Sequence, residues 1–245
     1  MNTNSQDRRP IKRSEIVARE IVQFMAEGFK AGEMLPREAQ MLEQFQVGRG
    51  SLREALRLLE VQGLIAIKPG LSGGPVVGRA NARDLGRTLS LFFRIASVTY
   101  GDVAEALLVL CPTVARLAAL NPKRAETKKI LDSCLSAGDV KAKKSSEMIF
   151  NLAQFHSAIN QVAENPAIAM LTEALESIFR EHVAAKSDAT ELIPHCKRDH
   201  QKIAKAIHEG NEKRAAELSE KHIRDIVAFH RKRVPGLFDE PIEWR

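Results

Sequence analysis

Residues 47–60, VGRGSLREALRLLE, carry two stripes that few folds can accommodate together. On a helix, Leu52, Leu56 and Leu59 share one face with Ala55 beside them. Arg49, Arg53 and Arg57 recur every fourth residue, about 100° away around the same helix. The leucine face has to pack inward, which leaves a row of guanidiniums standing clear of it. A guanidinium grips phosphate in a bidentate fork and reads the O6/N7 edge of guanine. Gly48 and Gly50 keep the helix start slim enough for close approach to another backbone. Two readings fit: a recognition helix for the DNA major groove, and a solvated surface helix laced with Arg/Glu pairs.

The neighbouring chain supplies a frame for that helix. Ser14 is the expected N-cap of a first helix, whose stripe Ile16, Val17, Ile21, Phe24 and Met25 runs on to Glu27. Gly28 and Gly32 punctuate the following turn. Leu35-Pro36 then leads into a second helix over about 37–45, with Leu42 and Phe45 facing in. Gly63 ends the arginine helix, residues 64–67 read as a short strand, and residues 75–77 read as its return across KPGLSGG. No GK[ST] follows those glycines and no helix opens directly after them. A wing tip passing close to a sugar–phosphate backbone therefore fits better than a phosphate cradle. Helix, helix–turn–helix and hairpin in this order make a winged helix–turn–helix. Ahead of it, residues 1–13 form a polar arm in which Arg8, Arg9, Lys12 and Arg13 are either phosphate contacts or a solvated run.

From Asn81 onward glycine becomes scarce, and helical periodicity is nearly continuous to Arg233. Helices are expected over about 81–97, 102–120, 122–137, 142–163, 166–185, 189–209 and 211–233. The breaks fall at 99–101, Asn121-Pro122, Gly138, Asn165-Pro166 and Gly210-Asn211, and Pro112 is expected to kink the second helix. The fold class is thus mainly α. A winged helix–turn–helix over 14–80, with three helices and a two-stranded β wing, precedes an all-α helical bundle of six to seven helices over 81–234. An extended tail, 235–245, carries the only tryptophan, Trp244. A formal charge of +6 suits a polyanionic partner. Cys111, Cys134 and Cys196 lie far apart, offer no disulfide framework and fit a reducing compartment. No apolar leader opens the chain and no stretch nears 18 uninterrupted apolar residues, so a cytoplasmic protein with no membrane span is expected.

Three histidines fall on inward stripes of three different helices. His156 aligns with Ile149, Leu152, Ile159 and Ala163. His200 aligns with Cys196, Ile203 and Ile207, and His222 sits between Leu218 and Ile226 with Phe229 further along. Taken singly, each reads as a hydrogen-bonded core histidine. Three together favour a shared polar pocket, because separate burial would require three independent partners. Imidazole nitrogen is also the commonest ligand for zinc and its neighbours. His182, His195, His208 and His230 lack such placement and read as surface residues.

SEIVARE, AGEMLP, VGRGSLREALRLLEVQGLI and KPGLSGGPVV, spread over about 14–78, resemble the N-terminal domain of GntR-family transcription regulators. The resemblance implies dimeric binding to double-stranded operator DNA, with Arg49 and Arg53 at the family's base- and phosphate-contacting positions. Where the family usually shows Ser and then Glu-Arg after Leu-Pro, this chain has Arg37, Glu38 and Ala39, and Arg37 is expected to do part of the missing arginine's work. Arg37, Arg49, Ser51, Arg53 and the wing's Gly70 are the DNA-contact candidates. FHSAINQVAENPAIAML and DHQKIAKAIHEGNEKRAAELSEKHI resemble the FCD effector domain of the FadR-type branch. That likeness implies a divalent metal held by an Asp and three His beside a small carboxylate effector, and His156, His200 and His222 match the three histidines.

The Asp position is Leu152, with Asn151 adjacent but pointing elsewhere on the helix. The usual effector-pairing Arg is Leu107, and the usual Glu one turn on is Cys111. Leu107, Cys111, Asn151 and Leu152 are accordingly the effector-pocket candidates. Lacking a carboxylate, the three-His set disfavours Mg²⁺ and Ca²⁺ and leaves Zn²⁺ or Ni²⁺, or no metal at all. The effector is expected to be less acidic than usual for the family, or held by apolar contact. The resulting expectation is a homodimeric, ligand-responsive regulator, repressor rather than activator, on a near-palindromic operator. Two alternatives compete. A metal-dependent helical-bundle enzyme lacks a Glu-x-x-His pair and any placed general base, and an architectural DNA-binding protein would have no effector.

Overall fold

The leucine stripe is buried. In a computed structural model that describes residues 11–70, 73–78, 81–139 and 145–244, α3 (Arg49–Val61) turns Leu52, Ala55, Leu56 and Leu59 inward. They close on Val17, Ile21 and Met25 of α1 (Arg13–Gly28) and on Met41 of α2 (Glu38–Gln44), and Leu35 and Ile65 complete the cluster. Each fully buried leucine contributes about 1.5–3 kcal/mol relative to exposure. Arg8, Arg9 and the Ile149 side chain lie outside the described residues.

Two local expectations are corrected here. Lys12, not Ser14, stands at the N-cap of α1; Ser14 is drawn inside the first turn, where its hydroxyl is buried with no partner among the described residues. In α2 it is Met41 that is buried, while Leu42 and Phe45 are only partly covered. A seven-residue helix has two turns, too few for periodicity to settle which position is innermost.

The wing is an antiparallel pair, β1 (Ile65–Lys68) and β2 (Gly74–Val77), registered Ile65 to Val77 and Lys68 to Gly74. A third segment joins it. Gly32 N–H donates to Val77 O, Val77 N–H to Glu33 O and Leu35 N–H to Pro75 O, each at 2.8 Å, so the chain after α1 runs along β2 and anchors the wing. Gly63 ends α3 with φ +71°, and a Cβ there would stand 2.4 Å from Asp84 Oδ2, so this position requires glycine.

The chain divides into two compact units between Asp84 and Leu85. α4 (Ala82–Ile95) runs through that division, and the chain continues with α5 (Tyr100–Leu120), α6 (Arg124–Asp139), α7 (Ser145–Val162), α8 (Pro166–His182), α9 (Ile193–His208) and α10 (Glu212–Arg233). Three of these helices start on side-chain caps. Thr99 and Asp102 form a reciprocal capping box on α5, Asn165 Oδ1 accepts from Ile168 N–H on α8, and Asn211 Oδ1 accepts from Arg214 N–H on α10. α5 has a mean hydropathy of 1.8 over 18 residues, long and apolar enough by composition to cross a membrane. In the bundle it is the central helix, packed by α7, α8, α9 and α10, and it continues through Pro112.

Between α8 and α9 the chain makes two short 3₁₀ turns, Ala184–Lys186 and Thr190–Leu192, where longer flanking helices are expected from sequence. The tail is not simply extended. It forms a 3₁₀ turn over Pro235–Asp239, buries Leu237, Phe238 and Ile242 against the start of α5, and donates Glu243 N–H to Tyr100 Oη at 3.1 Å.

Candidate functional site

The arginine row of α3 is exposed, but its members differ. Arg49 occupies the first turn with no ion pair among the described residues, while Arg53 Nε lies 3.2 Å from Glu38 Oε1 with its side chain 69 % exposed. Arg37, Arg53 and Arg57 line one open groove together with Gly73, Gly74 and Pro75 of the wing, and Arg49 lies outside that lining. Ser51 is half-buried on the first turn of α3. Gly70, φ +111°, faces open space at the wing's end. Glu38 is the neighbour that a reading by stripes misses: Arg53 must leave it to reach a phosphate. A surface pair of this kind contributes about 0–1 kcal/mol, so the exchange costs little.

In the bundle, α7, α9 and α10 bring His156, His200 and His222 together. His200 Nε2 and His222 Nε2 are 3.1 Å apart, the His156 ring stacks on His222 with centroids 5.3 Å apart, and one nitrogen of each lies within 4.8 Å of the others. His200 and His222 are buried, and Phe155 stacks on His200 at 4.3 Å. Burial, with His222 and Arg180 nearby, pulls His156 down to about 3. Burial, with His156 and His222, holds His200 well below its ordinary value. Both rings are therefore neutral at pH 7 and present lone pairs. Carboxylates stand behind two of them, Glu176 Oε1 3.4 Å from His156 Nδ1 and Asp199 Oδ2 3.4 Å from His222 Nδ1, the arrangement that orients ligating imidazoles. A tetrahedral ion with Zn–N bonds of 2.0–2.1 Å has donor–donor edges of about 3.3 Å, so the trio fits an ion of the zinc type with small adjustment.

Beside the trio lies a cavity of about 140 Å³ whose walls include Leu107, Leu152, Phe179, Ile193, Ile223 and Val227. Of the four sequence-derived pocket residues, Leu107 and Leu152 line it. Cys111 sits behind, its Sγ 3.6 Å from Glu176 Oε1, and Asn151 lines a separate, smaller recess with Phe155 and His200. The expectation that this neighbourhood has lost both its fixed cation and its anion is corrected, because α8 supplies Arg180 and Glu176 to the cavity wall. Burial pushes Glu176 up to about 7, against the opposing hydrogen bonds from Asn160 and Cys111 and the Arg180 charge. Burial and the Glu176 charge in turn hold the Cys111 thiol well above its ordinary value. Glu176 and Arg180 are four apart on one helix, a spacing that also describes an ordinary surface pair.

Of the four histidines read as surface residues, two are buried and two are partly exposed. His182 is buried with Nδ1 2.9 Å from Tyr100 Oη, and His230 is buried with Nδ1 2.6 Å from Ser187 Oγ. His195 and His208 are partly covered, the first between Asp199 and Asp225, the second with Nε2 3.7 Å from Asp132 Oδ1. The partners of the buried pair come from other elements, Tyr100 of α5 for His182 and Ser187 of the α8–α9 connection for His230, which the periodicity of a single helix does not register.

Residues 14–72 match the gntR family of bacterial regulatory proteins, and residues 102–225 match the FCD domain. The HTH-type transcriptional repressor NanR of Klebsiella aerogenes is 28 % identical over 238 residues, covering 93 % of this chain and 90 % of its own. The HTH-type transcriptional regulator LutR of Bacillus subtilis is 23 % identical over 221 residues, covering 87 % and 97 %. A solved structure of Streptococcus agalactiae GntR, 22 % identical, covers 87 % of this chain and 98 % of that one with a TM-score of 0.65, the same fold. The family models and the named relatives describe regulators of transcription, a non-enzymatic class, which removes the metal-dependent helical-bundle enzyme. The chain belongs to the GntR family: it is a DNA-binding transcription regulator with a winged helix–turn–helix in front and an FCD effector domain behind.

Proposed function

We propose that this regulator is a cytoplasmic homodimeric repressor, gripping a near-palindromic operator through α3 and the wing and changing its hold when a small molecule fills the bundle cavity. Residues 14–80 serve as the DNA-binding domain and residues 81–234 as the sensing and dimerising domain, and Lys12 and Arg13 at the start of α1 add phosphate contacts. The observation that carries the sensing half is the apolar cavity opening onto His156 and His200. The repressor sense is supported by the Klebsiella relative, which is named a transcriptional repressor.

Arg49 and Arg53 take base and phosphate contacts, with Arg37, Ser51 and Gly70 on the phosphate side. His156, His200 and His222 would hold Zn²⁺ or Ni²⁺ rather than Mg²⁺ or Ca²⁺, and such an ion supplies a Lewis-acid anchor for an effector oxygen. Leu107, Leu152, Ile223 and Val227 receive an apolar body, and among the described residues Arg180 is the one strong cation on the wall. We take the effector to be less acidic than is usual for the family, an apolar body with one acidic group facing Arg180. Switching requires that the effector bind one relative placement of the two operator-reading domains more tightly than the other.

Two measurements test this. Selection from random duplexes at physiological ionic strength is expected to return a near-palindrome. Native mass spectrometry and metal analysis of the protein as purified are expected to show a dimer with bound ion or trapped ligand. Absence of any preference over random competitor DNA overturns the operator reading. Strong thermal stabilisation by small dicarboxylates, with none by neutral or acyl compounds, overturns the effector class.

A further inference from the structure

A fourth histidine has its own pair of acids. His195 stands in the first turn of α9, Asp199 one turn on, and Asp225 comes from α10. His195 Nε2 lies 3.0 Å from Asp199 Oδ2 and 3.1 Å from Asp225 Oδ2, and the three donor atoms all lie within 4.8 Å of one another. A single N–H cannot serve two carboxylates at full strength, whereas an imidazole lone pair and two carboxylate oxygens make a three-donor set for one cation. The two histidine–carboxylate separations are close to the edge of about 3.3 Å that a tetrahedral zinc ion requires.

Side-chain exposures of 36 %, 13 % and 34 % for His195, Asp199 and Asp225 let an ion enter from solvent without opening the core. The acids are balanced by mobile charges, Lys221 Nζ on Asp225 and Lys202 Nζ 4.0 Å from Asp199 Oδ1, both on side chains more than 60 % exposed. A flexible ammonium in that position yields readily to a dication that both carboxylates can bind directly.

We propose that His195, Asp199 and Asp225 form a second divalent-metal site of the zinc type on the outer side of the α9/α10 pair, linked to the histidine trio through the contact of Asp199 with His222. Mixed nitrogen and carboxylate donors select Zn²⁺ over Mg²⁺ or Ca²⁺. The site stands apart from the sensing reading and does not need the trio to hold an ion.

The test is a Zn²⁺ titration of EDTA-stripped full-length protein against a chromogenic chelator, with bound metal counted after desalting. One equivalent is expected to be lost in both His195→Ala and Asp225→Asn and kept in His200→Ala. Lys221→Ala is expected to hold that same equivalent roughly tenfold more tightly, because it removes a unit charge close to the bound dication. Lys221→Ala alters only an exposed side chain, so its affinity gain is readable even if another variant misfolds by circular dichroism. Wild-type stoichiometry and affinity in both His195→Ala and Asp225→Asn overturn the proposal, and so does an unchanged Zn²⁺ affinity in Lys221→Ala. Failure of the sensing reading shows separately, as lost operator selection or effector response in protein whose outer equivalent is intact.

Discussion

Arg49→Ala separates recognition from folding more cleanly than any other change in the first unit. Arg49 stands exposed in the first turn of α3, ahead of the buried stripe that begins at Leu52, so truncation leaves the apolar cluster untouched. Stability is expected to move by less than about 0.5 kcal/mol. A bidentate arginine–base contact is worth about 1–3 kcal/mol, and the proposed dimer on two half-sites would lose it twice. The resulting 2–6 kcal/mol weakens operator binding by roughly 30-fold to 10⁴-fold. Fluorescence anisotropy on a selected operator and on random duplex, repeated across a salt series, reads the effect. A lost base contact lowers the ratio of specific to random affinity and leaves the salt slope alone. A lost phosphate contact flattens the slope by about 0.9 per subunit and weakens all sequences alike. Unchanged operator affinity together with an unchanged specificity ratio would refute the assignment of α3 as the recognition helix.

Three further outcomes are expected. Leu52→Ala should cost about 2–5 kcal/mol in denaturant unfolding of the first unit, since Leu52 is fully buried, and a loss well under 1 kcal/mol would contradict the packing of that stripe. Burial, with Arg233 nearby, holds His230 down to about 4 from an ordinary 6.5, so the unfolded chain takes up this proton first as pH falls. The contribution is whole above pH 6.5 and is lost between 6.5 and about 4, amounting to no more than about 3 kcal/mol. His230→Asn should therefore show a shallower pH dependence of unfolding free energy across that window, and parallel curves would count against it. Zn²⁺ should raise the thermal midpoint of stripped protein more in wild type than in His156→Ala, and equal shifts would remove His156 from the ligand set.

The amino-acid sequence by itself settled whatever depends on near neighbours along the chain. Helix, turn and wing were legible because a 3.6-residue apolar stripe, a glycine at a left-handed helix end, and an asparagine or threonine at a cap act within a few residues of themselves. The arginine row beside Leu52, Leu56 and Leu59 and the inward placement of His156, His200 and His222 are of the same kind. Tertiary structure alone decided what meets across helices. Glu176, Arg180 and Asp199 belong to the cavity and the trio because α8 and α9 happen to face them, and nothing in their local spacing distinguishes them from surface charges. His182 is buried against Tyr100 of α5, itself bonded by Glu243 of the tail, and His230 against Ser187 of the α8–α9 connection. A residue's burial depends on every element packed above it, and periodicity reports only the element it sits on.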